Sequence, residues 1–202
     1  MERMRMNPFI IGLTGGIATG KSVVRELFQN QGCDVFDADA CVHELLDADA
    51  LVIRAVKKAF GERIMGVRGI DRKKLKTIAF SSQRRLHLLE RILHPRVLEC
   101  MCRAIKRSQH EFFVAEIPML YEKRWDRYVD AVVVAACPVA RQVARLRARD
   151  KMQISEINRI RSFQMPLKEK MKRADIVIDT DRPRAAVAAC ARVCIRCFKG
   201  EL

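Results

Sequence analysis

The stretch Gly15-Gly16-Ile17-Ala18-Thr19-Gly20-Lys21-Ser22 places three glycines, one lysine and two hydroxyls within eight residues. It fits the spacing G-x-x-x-x-G-K-[ST] in the context that gives the spacing meaning. The apolar run Phe9-Ile10-Ile11 precedes it, and Val23, Val24, Leu27 and Phe28 follow at helical spacing. Glycines let the backbone turn so that successive N–H groups face inward onto phosphate oxygens, aided by the positive end of the following helix. Lys21 adds a point charge against the outer phosphates, and Ser22 offers a hydroxyl to magnesium. A glycine-rich strand-to-helix turn with an incidental lysine would share some of these residues but gives no reason for the flanking pattern. The chemistry indicated is nucleoside triphosphate binding.

Carboxylates stand at two further places where a strand pattern ends. Val35-Phe36-Asp37-Ala38-Asp39 puts two there; residues two apart point to opposite sides of an extended segment, so one Asp at most addresses a reaction centre. Capping of the next helix is the competing use of either. Glu116-Ile117-Pro118 supplies a third, open between a magnesium-shell carboxylate and a solvated strand end.

Five short stretches rich in Val, Ile and Phe read as buried strands: Phe9 to Leu13, Asp34 to Phe36, Phe112 to Ile117, Ala131 to Ala135 and Asp175 to Ile178. Helical segments separate them, which implies an α/β fold with a parallel sheet. The helix from Lys21 to Gln31 stops at Gly32. Between the second and third strands about 75 residues show no strand pattern and read as an inserted helical subdomain. In it Leu86, Leu89, Leu93, Leu98, Met101 and Ile105 recur near helical spacing, and Pro95 is expected to kink or break the run at His94. A second helical excursion spans Pro138 to Arg173. Functional groups of open parallel sheets gather at the carboxyl ends of their strands, where the loop and these carboxylates fall.

Length and composition agree with one globular domain: 202 residues, with 39 basic against 24 acidic residues and a net charge of +15. That excess favours polyanionic partners, nucleic acid or phosphorylated small molecules. No apolar run approaches the roughly 18 residues of a membrane span, and the start shows no cleavable signal, so a soluble cytoplasmic protein is expected. Eight cysteines scattered over the chain read as reduced thiols. Cys190, Cys194 and Cys197 raise a zinc hypothesis, but no second Cys or His pair follows. The alternative is three small apolar residues on one stripe of a helix Arg182 to Phe198, near Val187 and Ala191.

Taken in order, "LTGGIATGKS", "VFDADACVHELL", "LHP", "IPMLYE", "CPVARQVARLRARD" and "QMPLKEKMKRADIVID" resemble the dephospho-CoA kinase family over nearly the whole chain. The resemblance implies a P-loop NTPase fold: a five-stranded parallel sheet flanked by helices, with an inserted helical substrate-binding subdomain and a lid. It divides a single domain into a core of about 1–39, 110–137 and 174–202, a CoA-binding insertion of about 40–109 and a lid of about 138–173. It implies ATP and Mg2+ as cofactors and transfer of the γ-phosphoryl group to the ribose 3′-hydroxyl of dephospho-CoA; the oligomeric state stays open in the sequence, a monomer being one reading. Carried over by position, Gly15, Gly16, Ile17, Ala18, Thr19, Gly20, Lys21, Ser22 and Val23 bind ATP, with Ser22 on the metal and Glu116 as a further metal-shell candidate. Asp39 becomes the base for the ribose hydroxyl. Lys21, Arg145 and Arg149 become the catalytic cations, the two arginines lying one helical turn apart on one lid face. A solvated basic helix face is the alternative for each arginine, and is the assignment for Arg141, Arg147 and Lys151.

The sequence departs from the family at Ala18-Thr19, where Gly-Ser is usual, at Val23 for Thr or Ser, at Glu116 for Asp, and at Lys151 for Gly. These leave the Gly-Lys-Ser chemistry in place and bear on the metal shell and the lid turn. Two other functions compete. A nucleic-acid-binding protein suits the charge, but aromatics are 6% of residues and Trp125 is the sole tryptophan, so stacking platforms are scarce and no specific nucleic acid is expected. A nucleoside monophosphate kinase would share the loop and lid but not the Asp-Ala-Asp and Ile-Pro-Met-Leu-Tyr-Glu stretches.

Overall fold

The computed structural model describes residues 7–67 and 69–201. Its elements begin with β1 (Phe9–Gly15), α1 (Lys21–Gln29), β2 (Asp34–Asp37), α2 (Ala38–Ala48) and α3 (Ala50–Phe60). There follow β3 (Met65–Gly66), β4 (Gly69–Ile70), α4 (Arg72–Ala79), α5 (Gln83–Arg107) and β5 (Phe112–Glu116). The chain continues through β6 (Ala131–Ala136), α6 (Val139–Asp150), α7 (Ile154–Ser162), α8 (Leu167–Arg173), β7 (Ile176–Asp179) and α9 (Arg184–Phe198). Asp37–Lys106 forms one compact unit, and the described residues on either side of it form the other.

The second of these holds a five-stranded sheet in the order β2-β5-β1-β6-β7. β1 pairs in parallel with β5, from Phe9↔Phe112 to Leu13↔Glu116, and with β6, from Ile11↔Ala131 to Gly15↔Ala135. β6 pairs in parallel with β7. Every residue of β5 and β6 is buried, which is why they read as continuous apolar runs without alternation. Val24, Leu27 and Phe28 of α1 and Val187, Ala191, Cys194 and Ile195 of α9 share one core with Ile11, Leu13, Val114, Val133 and Ile178 of the sheet. Parallel register brings the carboxyl ends of β1, β5, β6 and β7 to one edge, and β1 stands where the chain turns from one side of the sheet to the other.

In the helical unit each helix buries one stripe: Cys41, Leu45 and Leu46 from α2, Val52, Val56 and Phe60 from α3, Leu75 and Ala79 from α4, and Leu93, Val97 and Met101 from α5. Aspartates start three of these helices, Asp37 for α2, Asp49 for α3 and Asp71 for α4. Asp49 accepts from Leu51 N and Val52 N at 2.9 and 3.0 Å, and Asp71 from Lys73 N and Lys74 N at 3.0 and 3.1 Å. Arg96, 2.8 Å from Asp49, holds that carboxyl below its ordinary range.

Three expectations need correction. α5 is not broken at Pro95: the ring removes one N–H donor, but Leu93, Val97 and Met101 lie at spacings of four on a buried stripe that carries the helix past it. The insertion carries a hairpin, β3 with β4, whose two-residue strands are too short to show a period. On α9 only Cys194 belongs to the buried stripe, while Cys190 and Cys197 are exposed. At roughly 100° per residue those two fall at the margin of the face that Val187, Ala191 and Ile195 centre. All eight thiols are free, and burial pushes Cys194 up to about 12. Among the described residues no helix is long and apolar enough to cross a membrane.

Candidate active site

The loop after β1 has its shape dictated at Gly15 and Gly20. A Cβ on Gly15 would lie 2.4 Å from the carbonyl oxygen of Ala135 on the neighbouring strand, and Gly20, at φ 85°, turns the chain into α1. Val23 N and Val24 N bond to Gly20 O, so the first N–H groups of the helix, at Lys21 and Ser22, have no helical acceptor. Thr19 is buried, its hydroxyl donating to Gly16 O at 3.0 Å, and Lys21 Nζ lies across the loop against the same carbonyl at 2.9 Å. Backbone donors at a helix start, the positive end of its dipole and an ammonium therefore lie together here, an arrangement whose physics suits phosphate oxygens. Ala18 stands at φ 55° and Lys151, at the end of α6, at φ 52°. Both are positions where glycine is usual, and a side chain there costs about 1–2 kcal/mol.

The loop is braced from outside. Arg145 of α6 donates through Nη1 to Ala18 O at 3.1 Å and through Nη2 to Thr180 O at 2.8 Å. The Thr180 hydroxyl, just past β7, lies 2.5 Å from Thr19 O. Ile17 N donates to Gln164 Oε1 at 3.1 Å, and the next residue, Met165, donates its N–H to Glu122 Oε1 at 2.7 Å. Glu122 also pairs at 2.9 Å with Lys170, which is fully buried and donates to Pro118 O at 2.7 Å. Burial pulls the Lys170 ammonium below its ordinary range, and Glu122 opposes that pull. Thr14 Oγ1 donates to the same Pro118 carbonyl at 3.1 Å, so the strand end before the loop and Ile17 within it both connect to one buried ion pair. Gln164, Thr180 and the Lys170–Glu122 pair escape a reading by spacing.

The remaining candidates are distributed as follows. Ser22 is exposed in the first turn of α1 and Val23 is half-buried. Glu116 is buried at the end of β5, 3.1 Å from Arg25 Nη1. Asp37 caps α2, its Oδ1 accepting from Ala40 N at 3.0 Å, whereas Asp39 lies exposed in the first turn of that helix. The helix starts at Ala38, so the two carboxylates are separated by a helix boundary and not by the alternation of a strand. Arg149 is exposed and grips Asp150 at 2.7 and 2.9 Å, and Arg141 pairs with Asp181. The structure thus brings Arg145 to the loop and turns Arg149 to a neighbouring carboxylate.

The two arginines should separate on substitution. Arg145→Ala strips a charged donor from two carbonyls and is expected to lower stability by about 1.5–3 kcal/mol and weaken Mg-ATP binding. Arg149→Ala is expected to change stability by less than about 0.5 kcal/mol. Thermal midpoints and nucleotide titrations of both variants check this, and equal destabilisation would contradict it.

A strand-loop-helix phosphate cradle at the edge of a parallel sheet, followed later in the chain by a basic helical segment, defines a P-loop kinase. The sequence profile of the dephospho-CoA kinase family matches residues 9–185, and the chain belongs to that family, whose reaction is the ATP-dependent phosphorylation of dephospho-CoA to coenzyme A. The dephospho-CoA kinase of Bacillus licheniformis is 40% identical over 176 residues, covering 84% of this chain and 87% of that protein. A crystal structure of a Thermus thermophilus protein superposes with a TM-score of 0.85 at 31% identity, covering 98% of this chain and 99% of that one. The dephospho-CoA kinase of Campylobacter jejuni, at 24% identity and a TM-score of 0.62 over 95% and 97% of the two chains, shares the fold.

Proposed function

We propose that this chain transfers the γ-phosphoryl group of Mg-ATP to the ribose 3′-hydroxyl of dephospho-CoA in the cytoplasm, with Asp39 as the base. The observation that carries this reading is the Gly15–Ser22 cradle at the carboxyl end of β1, in a chain whose family match runs over residues 9–185. Phosphoryl transfer asks little covalent chemistry of a protein; positioning and cations around the developing charge do most of the work. The loop N–H groups orient the phosphates, Lys21 neutralises charge on the outer ones, and Arg145 holds the Ala18 carbonyl away from them. Asp39 orients the acceptor hydroxyl and takes its proton.

The side chains suit magnesium. Ser22 offers one hydroxyl, and Glu116 one carboxylate already partnered by Arg25, a donor set that fits an ion taking its other oxygens from phosphate and water. Held by Ser22 and Glu116, such an ion would supply Lewis-acid stabilisation of negative charge on the phosphate oxygens.

The test is to incubate the purified protein with Mg-ATP and, separately, dephospho-CoA, AMP, CMP and adenosine, and to follow addition of one phosphoryl group by mass spectrometry. Dephospho-CoA is expected to be preferred, with turnover lost when EDTA removes the metal. A preference for a nucleoside monophosphate would overturn the acceptor assignment.

A further inference from the structure

Some basic side chains of the helical unit meet carboxylates. Lys57 meets Glu62 at 2.9 Å, Arg72 meets Asp47 at 3.5 Å, Lys74 meets Asp71 at 3.8 Å, and Arg96 meets Asp49 and Glu99 at 2.8 Å each. The first half of α5 gathers cations without such partners on one face. Arg84, His87 and Arg91 succeed one another at spacings of three and four, which sets them on one stripe of the helix. Among the described residues none of the three has an acidic partner within 4.0 Å. With Gln83 and Leu88 they line an open-sided cavity of about 690 Å³, a volume in the range of small-molecule sites. His94 continues the stripe one turn further along.

Uncompensated guanidinium groups around a concavity are completed by an anion. Arg84 and Arg91 stand two turns apart, about 10 Å along the axis, a separation that two long side chains close by converging on a bound group between them. Planar guanidinium forks recognise phosphate oxygens in pairs, which single ammonium groups do not. Leu88 gives the same cavity an apolar wall, so an anion continued by an aliphatic chain fits better than a bare ion. The cradle of the other unit already serves the phosphates of ATP. His87 is the one ring among the lining residues, too little platform for a run of stacked bases, which disfavours a nucleic-acid strand.

We propose that Arg84, His87 and Arg91 form the subsite that grips the diphosphate of the acceptor, with Leu88 against the start of its pantetheine arm. This rests on the dephospho-CoA reading above and assigns the residues that hold that substrate.

The experiment is calorimetric titration of the intact protein with dephospho-CoA and, separately, with Mg-ATP. It compares wild type, Arg84→Ala/Arg91→Ala, Arg84→Lys/Arg91→Lys, and a control, Lys73→Ala/Lys76→Ala, that removes two exposed cations of α4 elsewhere in the unit. The alanine pair should weaken dephospho-CoA at least about tenfold, as loss of charged hydrogen bonds requires, with Mg-ATP affinity within twofold and the melting temperature little changed. The lysine pair should recover part of the loss, and the control should bind both ligands as wild type does. Unchanged dephospho-CoA affinity in the alanine pair overturns the subsite, as does an equal loss in the control, which would mark a diffuse charge effect. A parallel loss of Mg-ATP binding overturns it too. Wild type that neither binds nor phosphorylates dephospho-CoA removes the acceptor reading itself, a result distinct from the other three.

Discussion

Lys21→Ala is expected to cut kcat/KM for ATP-dependent phosphoryl transfer by roughly 10²–10³-fold, the range for losing one preorganised group aimed at developing charge. The fold should survive. Lys21 is half-buried and its ammonium donates to Gly16 O at 2.9 Å, a contact whose loss costs about 1 kcal/mol at most because water can replace it. The loop's shape depends instead on Gly15 against Ala135, on Thr19 within the loop, and on Arg145 and Thr180 outside it. None of these passes through the lysine head. Turnover under saturating substrate, nucleotide affinity and thermal midpoint should therefore part company: the first collapses, the second weakens, the third barely moves. Near-normal turnover would remove Lys21 from the chemistry, and a large fall in melting temperature would make it a structural strut.

How far such a site is legible in a sequence depends on the distance over which its parts cooperate. The cradle is local: glycines, lysine and serine act through the backbone of eight residues, and their spacing carries the geometry. The strands are nearly so, because β5 and β6 are buried on both faces and must be apolar throughout. Their ends shift by a residue or two where pairing overrides composition, as when Thr14 and Gly15 extend β1 by pairing with Val134 and Ala135. Asp175 shows the reverse: it precedes β7, and its carboxylate, in place of its own carbonyl, accepts from Val132 N at 2.7 Å. What spacing cannot carry is bracing between distant segments. Ile17 and Gln164 are 147 positions apart, Thr19 and Thr180 161 apart, and neither Gln nor Thr announces itself in its own neighbourhood. Lys170 is the plainest case: a lysine within a basic heptapeptide reads as solvated, yet it is fully buried because Glu122 and the Pro118 carbonyl wait for it across the fold.

Asp39→Asn should reduce turnover by about 10²–10⁴-fold while leaving Mg-ATP affinity and thermal stability close to wild type. The substitution keeps the side chain's size and removes the charge and basicity needed to orient and deprotonate a ribose hydroxyl. Its structural cost is small by position. Asp37, not Asp39, caps α2 through Ala40 N, so Asp39→Asn leaves the cap in place and gives up the favourable interaction of a first-turn acid with the helix dipole, about 0.3–1 kcal/mol. Asp37 supplies the internal control. Asparagine caps nearly as well as aspartate, so Asp37→Asn should be mild in both stability and turnover, whereas Asp37→Ala should cost about 1 kcal/mol of stability. Turnover, Mg-ATP titration and melting temperature for all three variants distinguish a base from a cap, because a cap loses folding and activity together and a base loses activity alone. An inactive Asp37→Asn beside an active Asp39→Asn would move the base two residues upstream, onto the strand end and away from the first turn of α2.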